Sequence, residues 1–222
     1  MGSRYRLGMP NPSLAELLDT ASDRPPACGT VRVILIDGPA GSGKTTLANR
    51  LAVALGGQTS GGAGSFRPDA PLGLDIPVQI LHGDDMYEGW GGLATLDHVL
   101  LGDILRPLAA GEDAEFRQWD WVLDARTVTI PVPQRPWLIV EGVGVGLPEA
   151  RELAVLTVFI EAPWDVRLER GIERDLLAYD DVVERWTEFE ADERSLHERS
   201  GTRAAADFRI DGTAPVPDGT RR

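Results

Sequence analysis

From residue 31 onward, short apolar runs alternate with stretches of helical periodicity. The run VRVILID at 31–37 is β-branched and almost unbroken, the pattern of a strand buried on both faces of a parallel sheet. A glycine-rich stretch follows. KTTLANRLAVAL then places Leu47, Leu51, Ala54 and Leu55 at helical spacing, until Gly56 and Gly57 stop the helix. PVQILHGDD offers a second strand, PWLIVEG a third, LAVLTVFIEA a fourth and ADFRIDG a short last one. Between the second and third, ATLDHVLLGDILRPLAAG reads as a helix and FRQWDWVLDARTVTIPVP as a small hairpin. The stretch from Trp164 to Ser200 is helical by content, with a break expected at Tyr179 to Asp181. Strands alternating with helices predict a parallel sheet with helices on both faces, because right-handed crossovers leave few other arrangements. In such a sheet the carboxyl ends of the strands line one edge, where ligands gather.

The flanking segments differ in character. SLAELLDTA suggests a short helix capped by Ser13, and the prolines and glycine of SDRPPACG mark a linker. Residues 1–28 are therefore expected to be an appendage, residues 29–212 the main domain, and the polar residues 213–222 a disordered tail. GGQTSGGAGSFRPDAPLGLD, at 56–75, is rich in Gly, Ser and Pro and reads as a long mobile loop or insertion.

Composition narrows the class. With 222 residues, 42% of them apolar, the chain suffices for one domain with a sizeable core. Its formal charge of −13 leaves no general basic surface for a nucleic-acid backbone, so any polyphosphate must be held locally. No apolar run reaches membrane-spanning length and no secretory leader is visible, which predicts a soluble cytoplasmic protein. One cysteine, Cys28, excludes an internal disulfide framework and agrees with a reducing compartment. The oligomeric state, a homo-oligomer included, is left open.

The stretch GPAGSGKTT, Gly38-Pro39-Ala40-Gly41-Ser42-Gly43-Lys44-Thr45-Thr46, fits the phosphate-loop pattern in full. Its glycines let backbone N–H groups converge on phosphate oxygens, and the following helix adds its positive end. Lys44 is expected to reach the β and γ phosphates, and the Thr45 hydroxyl to help hold Mg²⁺. Asp84 and Asp85 follow the second strand and Glu141 ends the third, so they fall on the same edge. One carboxylate there can accept a hydroxyl proton and another can bind the metal, although acidic residues also cap helices and decorate turns. Arg167, Arg170 and Arg174 share one helix face. They suit clamping of a transferred phosphate, and equally a solvated helix paired with Glu169 and Glu173. Trp119 and Trp121, around Asp120, fit a pocket wall or plain core. His82, His98 and His197 show no metal-ligand spacing, and are expected to be structural or surface residues.

The order of glycine loop, DDMY, WDWVLDAR, VEG, VRLERGIERD and ADFRIDG resembles the uridine kinase-like family, with its nicotinamide riboside kinase and phosphoribulokinase relatives, over residues 30–212. The resemblance implies a three-layer P-loop NTPase sandwich with an arginine-bearing lid, using ATP and Mg²⁺. It puts Asp84 in the place of the catalytic aspartate and Glu141 in that of the acidic residue near Mg²⁺. Arg167, Arg170 and Arg174 fall where lid residues stand. Trp119, Asp120 and Arg126 fall where the acceptor site is bordered, and Asp85 and Tyr87 join that expected acceptor set. Three positions depart from the family: Asp124 stands where a histidine is usual, a sugar-binding aspartate is missing near Gly91, and Gly171 replaces a lid arginine. Losing a charged partner for sugar hydroxyls forfeits about 1.5–3 kcal/mol. The expected activity is ATP- and Mg²⁺-dependent phosphoryl transfer to a hydroxyl of a small, nucleoside-like acceptor, with no nucleic acid or membrane partner. The alternatives are a kinase for another alcohol, such as a vitamin, sugar or antibiotic, and a regulatory ATPase without a small-molecule acceptor.

Overall fold

The computed structural model describes residues 10–73, 75–175 and 181–220. Its strands are β1 (Arg32–Asp37), β2 (Val78–His82), β3 (Ala114–Asp120), β4 (Ala125–Val132), β5 (Trp137–Glu141), β6 (Ala154–Glu161) and β7 (Phe208–Asp211). Five of them form a parallel sheet in the order β2-β5-β1-β6-β7, and β3 and β4 pair as a separate antiparallel hairpin. The helices are α1 (Leu14–Asp23), α2 (Lys44–Ala54), α3 (Arg106–Ala109), α4 (Pro148–Glu152), α5 (Trp164–Asp175), α6 (Val182–Ser200) and α7 (Thr202–Ala205). The helix expected over the leucine-rich stretch near residue 100 is present, but it has π geometry over His98–Leu105 before it runs into α3. The expected break at Tyr179 and Asp180 lies outside the described residues.

Strand alternation divides the core into two layers. Val33 and Leu35 of β1, with Leu138 and Val140 of β5, pack on one face against the π-helical segment, α4 and Phe189 of α6. Ile34 and Ile36, with Ile139 and Leu156, point to the other face and meet Leu47 and Leu51 of α2. Helices therefore cover both faces and give a three-layer α/β sandwich with a parallel sheet, as the pattern of runs implies.

Within the stretch expected to be an appendage, the described helix α1 packs into the core. Ser13 and Glu16 form a reciprocal capping box at the start of α1. Leu14, Leu17, Leu18 and Ala21 are buried in the same layer as Ile34 and Ile36. The stretch after β7 returns to α1: Leu14 N donates to Pro217 O at 2.7 Å and Ala15 N to Asp218 O at 2.9 Å. Arg50 of α2 holds Val216 O at 2.6 Å. Amphipathic spacing revealed the helix, but not that its apolar face had a partner 20 residues away in sequence.

Register fixes what stands at the carboxyl edge. Glu141, the last residue of β5, is level with Ile36 of β1 on one side and His82 of β2 on the other. Replacing Leu17, which is fully buried, by Ala should lower unfolding free energy in urea by about 2–5 kcal/mol. A loss below about 0.5 kcal/mol would place α1 outside the core.

Candidate active site

The glycine loop leaves β1 where space is tightest. A Cβ on Gly38, whose φ is +141°, would lie 2.0 Å from Ile160 O, so only glycine lets the chain pass β6. Gly43, at φ +103°, begins α2 and brings no side chain to cap the first turn, which leaves the helix N-terminus to a ligand. Ala40, Gly41, Gly43, Lys44, Thr45 and Thr46 line a cavity of about 610 Å³. Gly38, Pro39 and Ser42 do not line it and instead shape the loop. Pro39 O accepts from Ser42 N at 3.3 Å and from Lys44 Nζ at 2.9 Å.

Three carboxylates line that cavity with Lys44: Asp84, Glu141 and Asp175, the last paired with Arg174 at 2.7 Å and accepting from Trp186 Nε1 at 3.0 Å. Asp84 follows β2, and one of its oxygens accepts a hydrogen bond from the Tyr87 hydroxyl. Burial pushes the Tyr87 phenol well above its ordinary pKa, and the Asp84 carboxylate adds to the effect, so Tyr87 stays a donor. Glu141, 6% exposed, accepts through Oε1 from Thr45 Oγ1 at 3.0 Å, with His82 Nδ1 at 2.6 Å from the same atom. Burial alone would raise the Glu141 pKa. His82, Lys44 and Thr45 outweigh it and hold the group below its usual range. Conversely, burial draws the His82 imidazole down, but Glu141, helped by the charges of Asp85 and Asp84, lifts it above its ordinary value.

The rest of the cavity divides into cationic and aromatic walls. Arg170 and Arg174 of α5 line it with Trp90, Trp121, Trp186 and Phe189. Trp90 and Trp121 meet edge to face at 5.7 Å, and Trp90 and Phe189 at 5.5 Å. Among the described residues no cluster of three His, Cys, Asp or Glu side chains could hold a metal alone, and no helix is long and apolar enough to cross a membrane.

No family model matches the chain, and neither does any curated protein. Solved structures do. A proposed fructose transport system kinase from Silicibacter sp. TM1040 superposes with a TM-score of 0.63 at 21% identity, covering 91% of this chain and 99% of that one. A proposed uridine kinase from Bacillus stearothermophilus gives 0.57 at 21% identity, with 89% and 97% covered. A proposed P-loop kinase with a circular permutation, from Saccharomyces cerevisiae, gives 0.50 at 12% identity, with 89% and 97% covered. The fold is that of a P-loop kinase. The resemblance to uridine kinase-like proteins is matched at the level of fold, which at this identity does not extend to a substrate.

Within this P-loop kinase fold, the residues expected to act fall into two groups. Lys44, Thr45, Asp84, Tyr87, Glu141, Arg170 and Arg174 share the cavity. Asp85 turns away from it: its buried carboxylate accepts from Gly64 N at 2.8 Å and Gln118 Nε2 at 2.9 Å, and burial raises its pKa. Arg167 does not line the cavity either. Only 5% exposed, it pairs with Glu193 of α6 at 2.6 Å and stacks on Trp164 at 5.1 Å. Together the pair grips the phosphate loop, because Glu193 Oε2 accepts from Ala40 N at 2.8 Å while Arg167 Nη1 donates to Ala40 O at 3.2 Å.

The expected border of the acceptor site is also redrawn. Asp120 Oδ1 accepts from Val122 N and Leu123 N at 2.9 and 3.0 Å and so closes the hairpin turn. Arg126 braces the hairpin against Met86 O at 2.8 Å and Glu88 at 3.1 Å. Trp119 packs beside Gly89. None of the three lines the cavity; Trp121, just past the end of β3, does so, and its Nε1 donates to Asp84 O at 2.9 Å. Gly171 acquires a reason as well: a Cβ there would lie 2.1 Å from Trp186 Cζ2, so its bareness admits the indole.

Sequence reasoning passed over Asp37, Trp90, Trp186 and Phe189, and took His82 for a structural or surface residue. Asp37 is fully buried and accepts from Gly38 N and Gly144 N, both at 2.7 Å, Gly146 N at 3.0 Å and His197 Nε2 at 3.0 Å. Burial pushes its pKa up, but His197 and the amides overcome this and hold it below the usual value. The position of Asp37 at a strand end was the available signal; the aromatic residues carried none.

The His82–Glu141 pair has a pH signature. Glu141, with its folded value below its unfolded one of about 4.3, adds stability present above that pH and lost as pH falls through the folded value. His82, with its folded value above its unfolded one of about 6.5, adds stability fully present below that pH and lost as pH rises through the folded value. The stability difference between wild type and His82→Ala, from urea unfolding at several pH values, should therefore be largest between about pH 4.3 and 6.5. A difference that grows steadily with rising pH would contradict the ionic pairing.

Proposed function

We propose that this protein transfers the γ-phosphoryl group of ATP to a hydroxyl of a small acceptor carrying a flat, nucleoside-like ring. The observation that carries this reading is the meeting of Lys44, Asp84 and Glu141 in one cavity with a phosphate loop and an aromatic wall. A switch protein needs the loop and a metal site, but has no use for a carboxylate set beside indoles.

The loop amides, the start of α2 and Lys44 suit the triphosphate, and Arg170 adds positive charge at the α5 side, where Arg174 is paired with Asp175. Mg²⁺ fits the donor set: a hydroxyl and a carboxylate, Thr45 and Glu141, present hard oxygen atoms where phosphate oxygens would supply the rest. When bound, the ion would neutralise phosphate charge. Tyr87 engages one oxygen of Asp84 and orients the carboxylate, and the other oxygen can take the acceptor's proton. As that hydroxyl oxygen bonds to the γ phosphorus, the bond to the bridging oxygen breaks, ADP departs and the proton rests on Asp84. Trp90, Trp121 and Phe189 suit a planar ring and keep water from competing for the phosphoryl group.

One observation favours an acceptor other than a pyrimidine nucleoside. Asp120 and Arg126, expected to border such a substrate, are spent on the hairpin and its bracing. The assay is ADP formation by purified protein with ATP and Mg²⁺, with and without a panel of nucleosides, vitamins, sugars and other alcohols. Acceptor-stimulated turnover is expected; nucleotide binding without any acceptor response would favour the regulatory ATPase. Asp84→Asn should reduce transfer by about 10²–10⁴-fold while ATP binding persists. Lys44→Ala should weaken both, and normal ATP affinity in that variant would count against the loop's role.

A further inference from the structure

The proposed reaction uses Glu141 but not the imidazole behind it. His82 is 5% exposed and both its ring nitrogens are engaged: Nδ1 lies 2.6 Å from Glu141 Oε1, and Nε2 2.6 Å from Ser60 Oγ. Ser60 is in turn fastened to α2, since its amide donates to Asn49 Oδ1 at 2.6 Å and its carbonyl accepts from Asn49 Nδ2 at 3.0 Å. Its hydroxyl accepts from Gly62 N at 3.2 Å. Further along, Gly64 N donates to Asp85 Oδ1 at 2.8 Å. The stretch from Ser60 to Gly64, read from its composition as part of a mobile loop, is tied at both ends to residues that flank Asp84 in sequence. Between the ties, Gly61, Gly62 and Ala63 line the central cavity.

A rigid ring bonded at both nitrogens fixes the direction of each partner relative to the other. The Ser60 hydroxyl can donate or accept, so this link forms whichever proton the ring carries. Gly61-Gly62-Ala63 presents backbone and a single methyl, so its position bears on how much room is left in the cavity that Trp90 and Trp121 also line.

We propose that His82 is a positioning residue with two separable tasks. Through Nδ1 it holds Glu141 beside Thr45, at the place where Mg²⁺ would bind. Through Nε2 and Ser60 it sets Gly61-Gly62-Ala63 as a side-chain-poor wall that determines which acceptors fit. The meaning of the metal and acceptor positions rests on the kinase reading; the ties themselves need neither ligand.

Two substitutions at residue 82 separate the tasks. Asparagine places an amide nitrogen near the Nδ1 position and loses Ser60, whereas glutamine places one near Nε2 and loses Glu141. Ser60→Ala cuts the loop tie without touching the buried ring, and so reports even if a change at 82 prevents folding. In amide hydrogen exchange on nucleotide-free protein, His82→Asn should speed exchange at Gly62 and Gly64 by about tenfold or more and Ser60→Ala should do so at Gly64, Gly62 being read only in the residue-82 variants because Ser60 Oγ is its acceptor, with His82→Gln within about twofold of wild type. Mg²⁺ titration of the binding of a fluorescent ATP analogue should show the reverse. His82→Gln should raise the half-saturating Mg²⁺ by about tenfold, and the other two should stay within about twofold. Variants that alter both readouts alike, or neither, would reduce His82 to a packing residue and overturn the proposal. Because exchange requires no ATP and no acceptor, a turnover assay that fails would strike the kinase reading and leave this outcome to be decided separately.

Discussion

A carboxylate taken out of water must be met by donors, and the arrangement of this site follows from how two such groups are met at adjacent strand ends. Asp37 closes β1 and gathers three glycine amides and His197, which binds the start of the phosphate loop, the loop after β5 and α6 to one point. Glu141 closes β5 and gathers Thr45 and His82, which binds α2 and β2 to another. The parallel register makes these neighbours, so the loop that leaves β1 lies beside the carboxylate that ends β5. The glycines then allow what the carboxylates require, a backbone close enough to β6 for the first turn of α2 to open toward the cavity.

The charge pattern is consistent with that arrangement. A chain of net charge −13 repels polyanions at a distance, and the cavity sets Lys44, Arg170 and Arg174 among Asp84, Glu141 and Asp175. A triphosphate there depends on the loop amides and on Lys44 and Arg170, Arg174 being paired with Asp175. The ion pair of Arg167 and Glu193 holds the phosphate loop from behind through Ala40, and it does so where solvent cannot screen it. Positive charge that could have faced the ligand is used instead to join α5 and α6 to the loop.

Much of this was legible in the residues. Apolar runs announced four of the five sheet strands and the alternating ADFRIDG the last, and the spacing of Gly38, Gly43 and Lys44 announced the loop. Asp84 and Glu141 stood out because they follow such runs. What stayed hidden depends on contacts distant in the chain. Arg167 sits on the expected helix face with Arg170 and Arg174, but Glu193, 26 residues later, turns it inward. Trp119 and Trp121 have the same parity, yet β3 ends at Asp120, and the turn directs only the second toward Asp84. His82 looked isolated because its two partners lie 22 and 59 residues away. Gly171 looked like a lost arginine until Trp186 was seen in its place.

The central claim is that Lys44, Thr45, Glu141 and Asp84 surround one γ phosphate at the rim of the sheet. A crystal structure with Mg²⁺ and a non-hydrolysable ATP analogue tests it most directly. The account predicts the γ phosphate between Lys44 Nζ and the Asp84 carboxylate, with the ion against Thr45 and Glu141. A nucleotide bound elsewhere, or bound there with Asp84 turned out of the cavity, would contradict it.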